Sequence, residues 1–291
     1  MRTAIAILMP GDMGHGVGQA LVADGHEVIT CLAGRSDHTR ALAARAGMCD
    51  AGTLDTLVTE AGTILSILPP DRAVTQAGAV AAAMRATDAR PAYIDCNAIS
   101  PMTMEKVTAA FAGLDVTVID CGIIGLNPIK APPTRFFVSG PDCSPAGLLA
   151  SDAIKVERMG TKIGQASALK MVYAALTKGT WTLHAAVLMA AMRLGVLEPL
   201  LDEFAYSQSG TLSDMRRRTP FLPADSARWV PEMEEIAATF ASAGVTPDFH
   251  NGAAGIFRVL SRTPFAQETR ETLEKSRTLE EALAVYVKHL T

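Results

Sequence analysis

The stretch Ile5-Ala6-Ile7-Leu8-Met9-Pro10-Gly11-Asp12-Met13-Gly14 decides the architecture of the first half of the chain. Five apolar residues run into a Pro-Gly turn, and Val17 to Ala23 then read as part of a helix. An apolar run without polar alternation suits a strand covered on both faces. A glycine-rich turn leading straight into a helix is the joint of a βα unit.

The pattern repeats outward from there. Val28 to Leu32 is strand-like, Thr39 to Ala46 helical, and Ile64 to Leu68 a strand cut off by Pro69-Pro70. Asp71 reads as the cap of the next helix, Tyr93 to Cys96 as a strand, and Ser100-Pro101 as a cap with proline in the first helical turn. Val116 to Ile119 and Arg135 to Val138 are two more expected strands. Strands alternating with helices imply a parallel sheet with helices on both faces. The texture changes near Gly160. Ala166 to Leu194 reads as one long helix, followed by helical segments at Glu198 to Tyr206, Trp229 to Ala241, Asp248 to Leu260 and Thr278 to His289. The expectation is an α/β Rossmann-type N-terminal domain over residues 1–160 and an all-α C-terminal domain over residues 161–291, the latter serving substrate binding and dimerisation. An alanine-rich helix this apolar rarely stays solvated, so a homodimer is expected.

Bulk properties narrow the function classes. The 291 residues are 49% hydrophobic and 19% charged, which is globular rather than disordered. A formal net charge of −4 leaves no basic footprint for nucleic acid. No run reaches the roughly eighteen apolar residues that a membrane span needs. Met1 to Met9 lacks the length and cleavage site of a signal peptide. Cys31, Cys49, Cys96, Cys121 and Cys143 include no C-x-x-C pair and are odd in number, so neither a metal site nor a disulfide framework is expected. Reduced thiols in a cytoplasmic protein is the plain reading.

The turn itself points to a ligand. In the fingerprint G-x-G-x-x-G, the first glycine makes the turn, the second admits a pyrophosphate, and the third lets helix and strand pack closely. Here Met9 stands first, while Gly11 and Gly14 hold the other two positions, with Asp12 and Met13 between them. Backbone N–H groups at that helix N-terminus would bind the pyrophosphate of a dinucleotide. An NAD protein usually offers a carboxylate at the end of the second strand. This chain reads Cys31-Leu32-Ala33-Gly34-Arg35-Ser36 there, with no acid before Asp37. Arg35 suits a 2′-phosphate, Ser36 can add a hydrogen bond, and Arg40 stands a turn further on, so NADP is expected ahead of NAD.

The chain resembles the β-hydroxyacid dehydrogenases and their 6-phosphogluconate dehydrogenase relatives. The resemblance rests on Gly11-x-x-Gly14, Leu68-Pro69-Pro70, Asp95 to Pro101, Asp120 to Gly125, and Gly164 to Lys170. Arg228 to Ala237 is similar to the C-terminal domain of a little-characterised, phosphogluconate-dehydrogenase-like branch. The resemblance implies hydride transfer between a nicotinamide and a hydroxyl-bearing carbon, with Lys170 exchanging the hydroxyl proton. A lysine does this when burial and a nearby positive charge favour its neutral form. It also implies that Leu68 and Pro69 lie along the cofactor and that Asn97 bonds the nicotinamide ribose.

Three departures qualify it. The substrate loop of the family ends Ser-Gly-Gly, whereas Gly122, Ile124 and Gly125 stand here, with Ile124 in the serine's place. Ala174 replaces an asparagine one helical turn after the lysine, and Ala166 replaces a glycine. A pocket with fewer polar groups implies a substrate larger or less polar than the simplest hydroxyacids, a 3-hydroxyacid or a less polar relative. Imine reduction is an alternative, although imine reductases usually carry aspartate or tyrosine at the Lys170 position. A dinucleotide sensor without turnover, and oxidation coupled to decarboxylation, also stay open. Of the remaining residues, His15 reads as a solvated loop histidine, His184 as interface, and His250 as a candidate for the pocket. Glu232, Glu234 and Glu235 read as a charged face, and Arg216-Arg217-Arg218 as a solvated turn.

Overall fold

The computed structural model describes residues 4–130, 133–269 and 272–290. Met1, Arg2 and Thr3, which begin the segment weighed as a signal peptide, lie outside the described residues. In chain order come β1 (Ala4–Ile7), α1 (Asp12–Ala23), β2 (Val28–Thr30), α2 (Asp37–Arg45), β3 (Cys49–Asp50), α3 (Leu54–Glu60) and β4 (Ala61–Ser66). They are followed by α4 (Ala73–Thr87), β5 (Ala92–Asp95), α5 (Pro101–Ala110), β6 (Val118–Ile124), β7 (Thr134–Ser139), β8 (Ile154–Gly160) and α6 (Gln165–Arg193).

The strands form one sheet in the order β3-β2-β1-β4-β5-β6-β7-β8. From β3 to β6 neighbours are parallel, β7 runs antiparallel to β6, and β8 is parallel to β7. Side-chain alternation sorts the core into two layers. Ile5 and Ile7 of β1 pack with Val17 and Leu21 of α1 and Ala43 of α2. Ala4 and Ala6 pack on the other face with Val58 of α3, Met84 of α4 and Val107 of α5. The chain reverses direction across the sheet between β1 and β4, and ligands of such sheets collect outside the carboxyl ends of the strands at that point.

Two strands escaped the sequence reading, as did the helix α3. β3 has only two residues, too few for a period to show, and β8 is an edge strand with Lys155, Glu157 and Arg158 on it. Asp71 does not cap a helix: Pro70–Arg72 form a 3₁₀ turn, and α4 starts after it with no side-chain cap. Ser100 does cap α5, accepting from the Thr103 N–H at 3.2 Å.

The chain divides into two compact units, Met1–Met171 and Val172–Thr291, with the division falling within α6. The second unit continues with α7 (Leu197–Ser207), α8 (Ser209–Arg218), α9 (Pro223–Ser242), α10 (Asp248–Ser261) and α11 (Leu279–Tyr286). Arg216, Arg217 and Arg218 are the last turn of α8 rather than a loop, where cations complement the helix dipole. Trp229 of α9 packs between Trp181 and Phe257, with ring centroids 5.3 and 5.2 Å away. Among the described residues no helix is long and apolar enough to cross a membrane.

Candidate functional site

The turn after β1 leads into α1 with Gly11 at the cap position. Gly11 has φ −76°, so its glycine identity is not demanded by backbone conformation. Gly14 is demanded by space, because a Cβ there would run into the Met9 carbonyl oxygen. That close approach aims the N-terminus of α1 at the carboxyl end of β1, the geometry that favours an anion. Met13 packs against the core layer beneath. Asn127, 115 residues away in sequence, donates to the Asp12 carbonyl at 2.6 Å, and Lys130 lies 3.4 Å from the Asp12 carboxylate. A Cβ on Gly16 would collide with the Asn127 amide, so Gly16 makes room for this brace. His15 is helical rather than a loop residue, and its Nδ1 hydrogen-bonds the Gly11 carbonyl at 2.8 Å.

The β2–α2 loop is braced by its own polar groups. The Asp50 carboxylate accepts from Leu32 N–H at 3.0 Å and Gly52 N–H at 2.9 Å, and these two bonds hold its pKa below the usual value. Arg40 donates to the carbonyls of Leu32 (2.6 Å) and Arg35 (3.3 Å), so it supports the loop. Ser36 caps α2, accepting from Thr39 N–H at 3.3 Å. Arg35 reaches back over β1, donating to the Leu8 carbonyl at 3.3 Å. Met9, Arg35, Leu68 and Pro69 line one cavity of about 370 Å³.

Asn97 is buried, and its side chain is committed within the protein. It accepts from the Leu68 N–H at 2.5 Å and donates to Ser66 Oγ at 3.0 Å and Asp95 Oδ2 at 2.9 Å. With both amide hydrogens spent, Asn97 positions the Leu68-Pro69 segment, and only acceptor capacity on Oδ1 is left for a ribose hydroxyl. Burial lifts the Asp95 carboxyl to about 7, against the lowering effect of the Asn97 N–H.

Asp120 of β6 is the anchor of α6. Its carboxylate accepts from Ser139 Oγ (2.9 Å), Gly164 N–H (2.9 Å), Ser167 N–H (3.0 Å) and Ser167 Oγ (2.6 Å). Burial raises its pKa despite those donors. Beside it, Gly122 lets α6 approach: a Cβ there would lie 2.6 Å from the Ala166 carbonyl oxygen and 3.0 Å from Lys170 Cβ. Lys170, partly exposed, is thereby brought to the same sheet edge as the glycine turn, Arg35, Leu68, Pro69 and Asn97. Ile124 ends β6 half-buried, and Gly125 follows with φ +130°. Ala174 is buried on α6 one turn after Lys170, and belongs to the second unit.

Within the second unit, Glu232 is not part of a solvated face. It pairs with Lys178 at 2.7 Å, both residues being buried beside Trp229. Glu234 instead pairs with Arg258 at the surface. His250 packs between Phe240 and Phe249, with centroids 4.3 and 5.3 Å away, and His184 is also buried. Desolvation lowers the pKa of both histidines. Sequence reading missed Asp120, Asn127 and the Lys178–Glu232 pair as individual residues, because each acts on a partner tens of residues away. Among the described residues no three His, Cys, Asp or Glu side chains group as metal ligands.

Residues 4–144 match the model of the NAD-binding domain of 6-phosphogluconate dehydrogenase, and residues 191–260 match a domain of unknown function, DUF1932. An uncharacterised 28.5 kDa protein of Methanothermus fervidus is 28% identical over 176 residues, which are 60% of this chain. The match spans 66% of that relative, just under two thirds of its length. A conserved protein of unknown function, described as structurally similar to 3-hydroxyacid dehydrogenases, superposes with TM-score 0.65 at 26% identity, covering 88% of this chain and 96% of that one. The 3-hydroxyisobutyrate dehydrogenase of Mycobacterium tuberculosis, solved with L-serine, gives TM-score 0.64 at 22% identity, covering 89% and 93%. That last likeness is one of fold.

Proposed function

Residues 4–144 belong to the family of the 6-phosphogluconate dehydrogenase NAD-binding domain and residues 191–260 to the DUF1932 family, and from that premise we propose an NADP-dependent oxidoreductase. It acts on a hydroxyl- or keto-bearing carbon of a small organic substrate, a 3-hydroxyacid or a less polar relative. The observation that carries the reading is the close approach of Gly122 to Lys170, which puts a lysine at the edge of the sheet where the glycine turn sits.

When bound, the nicotinamide supplies or accepts the hydride. The chain's own task is then the proton. Lys170 takes it from the substrate hydroxyl in oxidation and returns it to the carbonyl oxygen in reduction, a general acid–base role. The N-terminus of α1 would hold the pyrophosphate, and Leu68 and Pro69 would flank the cofactor from the end of β4. Preference for NADP rests on Arg35 and on the β2 end, where the Asp50 carboxylate is occupied by two backbone N–H groups. The Ile124 and Ala174 side chains offer no hydrogen bond where the family resemblance implies polar ones, which favours a less polar substrate.

A second copy of the chain is the proposed partner. Val172, Tyr173, Leu176 and Leu183 of α6 are 55%, 50%, 74% and 49% exposed, an apolar stripe of the kind that marks an interface. Sedimentation of wild type against Leu176→Glu tests this, a monomeric wild type overturning it. Five free thiols suit the reducing cytoplasm.

The decisive experiment follows NADPH oxidation on a panel of ketones and keto acids. Lys170→Ala is expected to abolish turnover while NADPH still binds. Unchanged turnover overturns the lysine's role, and tight NADPH binding with no carbonyl consumed by wild type points to a sensor instead.

A further inference from the structure

Resting on the NADP reading above, we propose that Arg72 is a second phosphate-reading residue, forming with Arg35 a two-arginine clamp on the adenosine 2′-phosphate. The cavity of about 370 Å³ that contains Met9 and Leu68-Pro69 has Arg35 on its β2 side and Arg72 on its β4 side. Thr75 and Gln76, from the first turn of α4, complete its lining. The cavity thus lies at the carboxyl edge, beside the reversal between β1 and β4 and towards β2. In folds of this type the pyrophosphate sits on the first helix and the adenosine ribose is read at the end of the second strand. The adenosine end of the dinucleotide therefore falls between the two arginines.

Charge argues for two cations rather than one. A phosphate monoester carries about −1.5 to −2 at neutral pH, and one guanidinium neutralises only half of that. Both charged residues lining the cavity are arginines, and no carboxylate lines it among the described residues. Arg35 keeps one hydrogen bond to Leu8, which holds its planar fork over the strand end. Arg72 lies 3.5 Å from the neighbouring Asp71 in an exposed pair, the two side chains being 73% and 55% accessible. Such pairs contribute little, so exchanging Asp71 for a phosphate costs little. Thr75 and Gln76 offer neutral hydrogen-bonding groups, which suit a base edge or the phosphate rim.

The test measures binding of 2′-phospho-AMP and of 5′-AMP to the full chain by calorimetry. Wild type is expected to prefer the 2′-phosphorylated ligand. Arg72→Ala should weaken 2′-phospho-AMP by about tenfold or more, leave 5′-AMP unchanged, and respond to Arg72→Lys with partial recovery. An unaltered melting temperature accompanies this result, since the side chain is exposed. Equal weakening of both ligands, or of neither, overturns the clamp. If Arg35→Ala loses the preference while Arg72→Ala keeps it, this inference fails and the NADP reading stands. If wild type shows no preference at all, the NADP reading itself fails.

Discussion

Gly122 of β6 and Lys170 of α6 stand so close that a methyl group on the glycine would sit 3.0 Å from the lysine Cβ. The same methyl would lie 2.6 Å from the Ala166 carbonyl oxygen, which is backbone and cannot rotate aside. Gly122→Ala is therefore expected to push the first turn of α6 outward, costing about 1–3 kcal/mol. Turnover should fall further than cofactor affinity, because Lys170 moves while the glycine turn does not. Parallel urea titration, NADPH binding and steady-state kinetics check this.

Gly14 and Gly18 lie one helical turn apart on α1 and should respond differently to alanine. At Gly14 the new methyl meets the Met9 backbone carbonyl; at Gly18 it meets the tip of the flexible Met48 side chain. Gly14→Ala is expected to destabilise by about 2 kcal/mol and to abolish dinucleotide binding. Gly18→Ala should stay within about 1 kcal/mol of wild type, since methionine adapts and alanine favours the helix. Denaturation midpoints and NADPH titration distinguish the two.

Removing the Asp120 carboxylate strands four donors at once, two of them backbone N–H groups where α6 begins. Asp120→Ala should cost about 3 kcal/mol or more, an unusually large single-residue effect. Amide exchange at Gly164 and Ser167 should accelerate in the variant, and unaltered protection there would count against the anchor.

Asp95 gives stability an unusual pH slope. The native state keeps its proton up to about pH 7, whereas the ordinary value for a free aspartate is 3.8. Unfolding between those limits releases a proton, so this group makes the fold less stable as pH rises through the window. His184 and His250, lowered by desolvation, act in the opposite sense below their ordinary value of 6.5. From about pH 5 to about pH 8 the urea midpoint should therefore fall less, or rise more, in Asp95→Asn than in wild type, after allowing for an overall loss where its NH₂ meets an Asn97 donor.

The Lys178–Glu232 pair should obey the rule for buried ions. Lys178→Met or Glu232→Leu alone removes one side of the pair and is expected to cost about 3–5 kcal/mol. The double variant Lys178→Met with Glu232→Leu should recover most of that loss, as a double-mutant cycle in urea would record.

The α/β-then-α order, the dinucleotide turn and most strands were legible in the chain because they are local. Apolar runs, Pro-Gly and Ser-Pro junctions, and glycine spacing express steric and hydrogen-bonding preferences within a few residues. Lys170 was different: the family resemblance implied it, not local patterning. What tertiary structure alone decided is what each motif is braced against. Asn97 was expected to serve a ribose; its amide also braces Leu68, Ser66 and Asp95, which meet it only when β4 and β5 lie side by side. Arg40 turned inward to its own loop, while Arg72 came to share a cavity with Arg35 from 37 positions away. Glu232 looked solvated until α9 met Lys178 of α6. A sequence period reports which face of an element is buried, but the partner that satisfies a buried polar group is a long-range fact, set by strand order and helix approach.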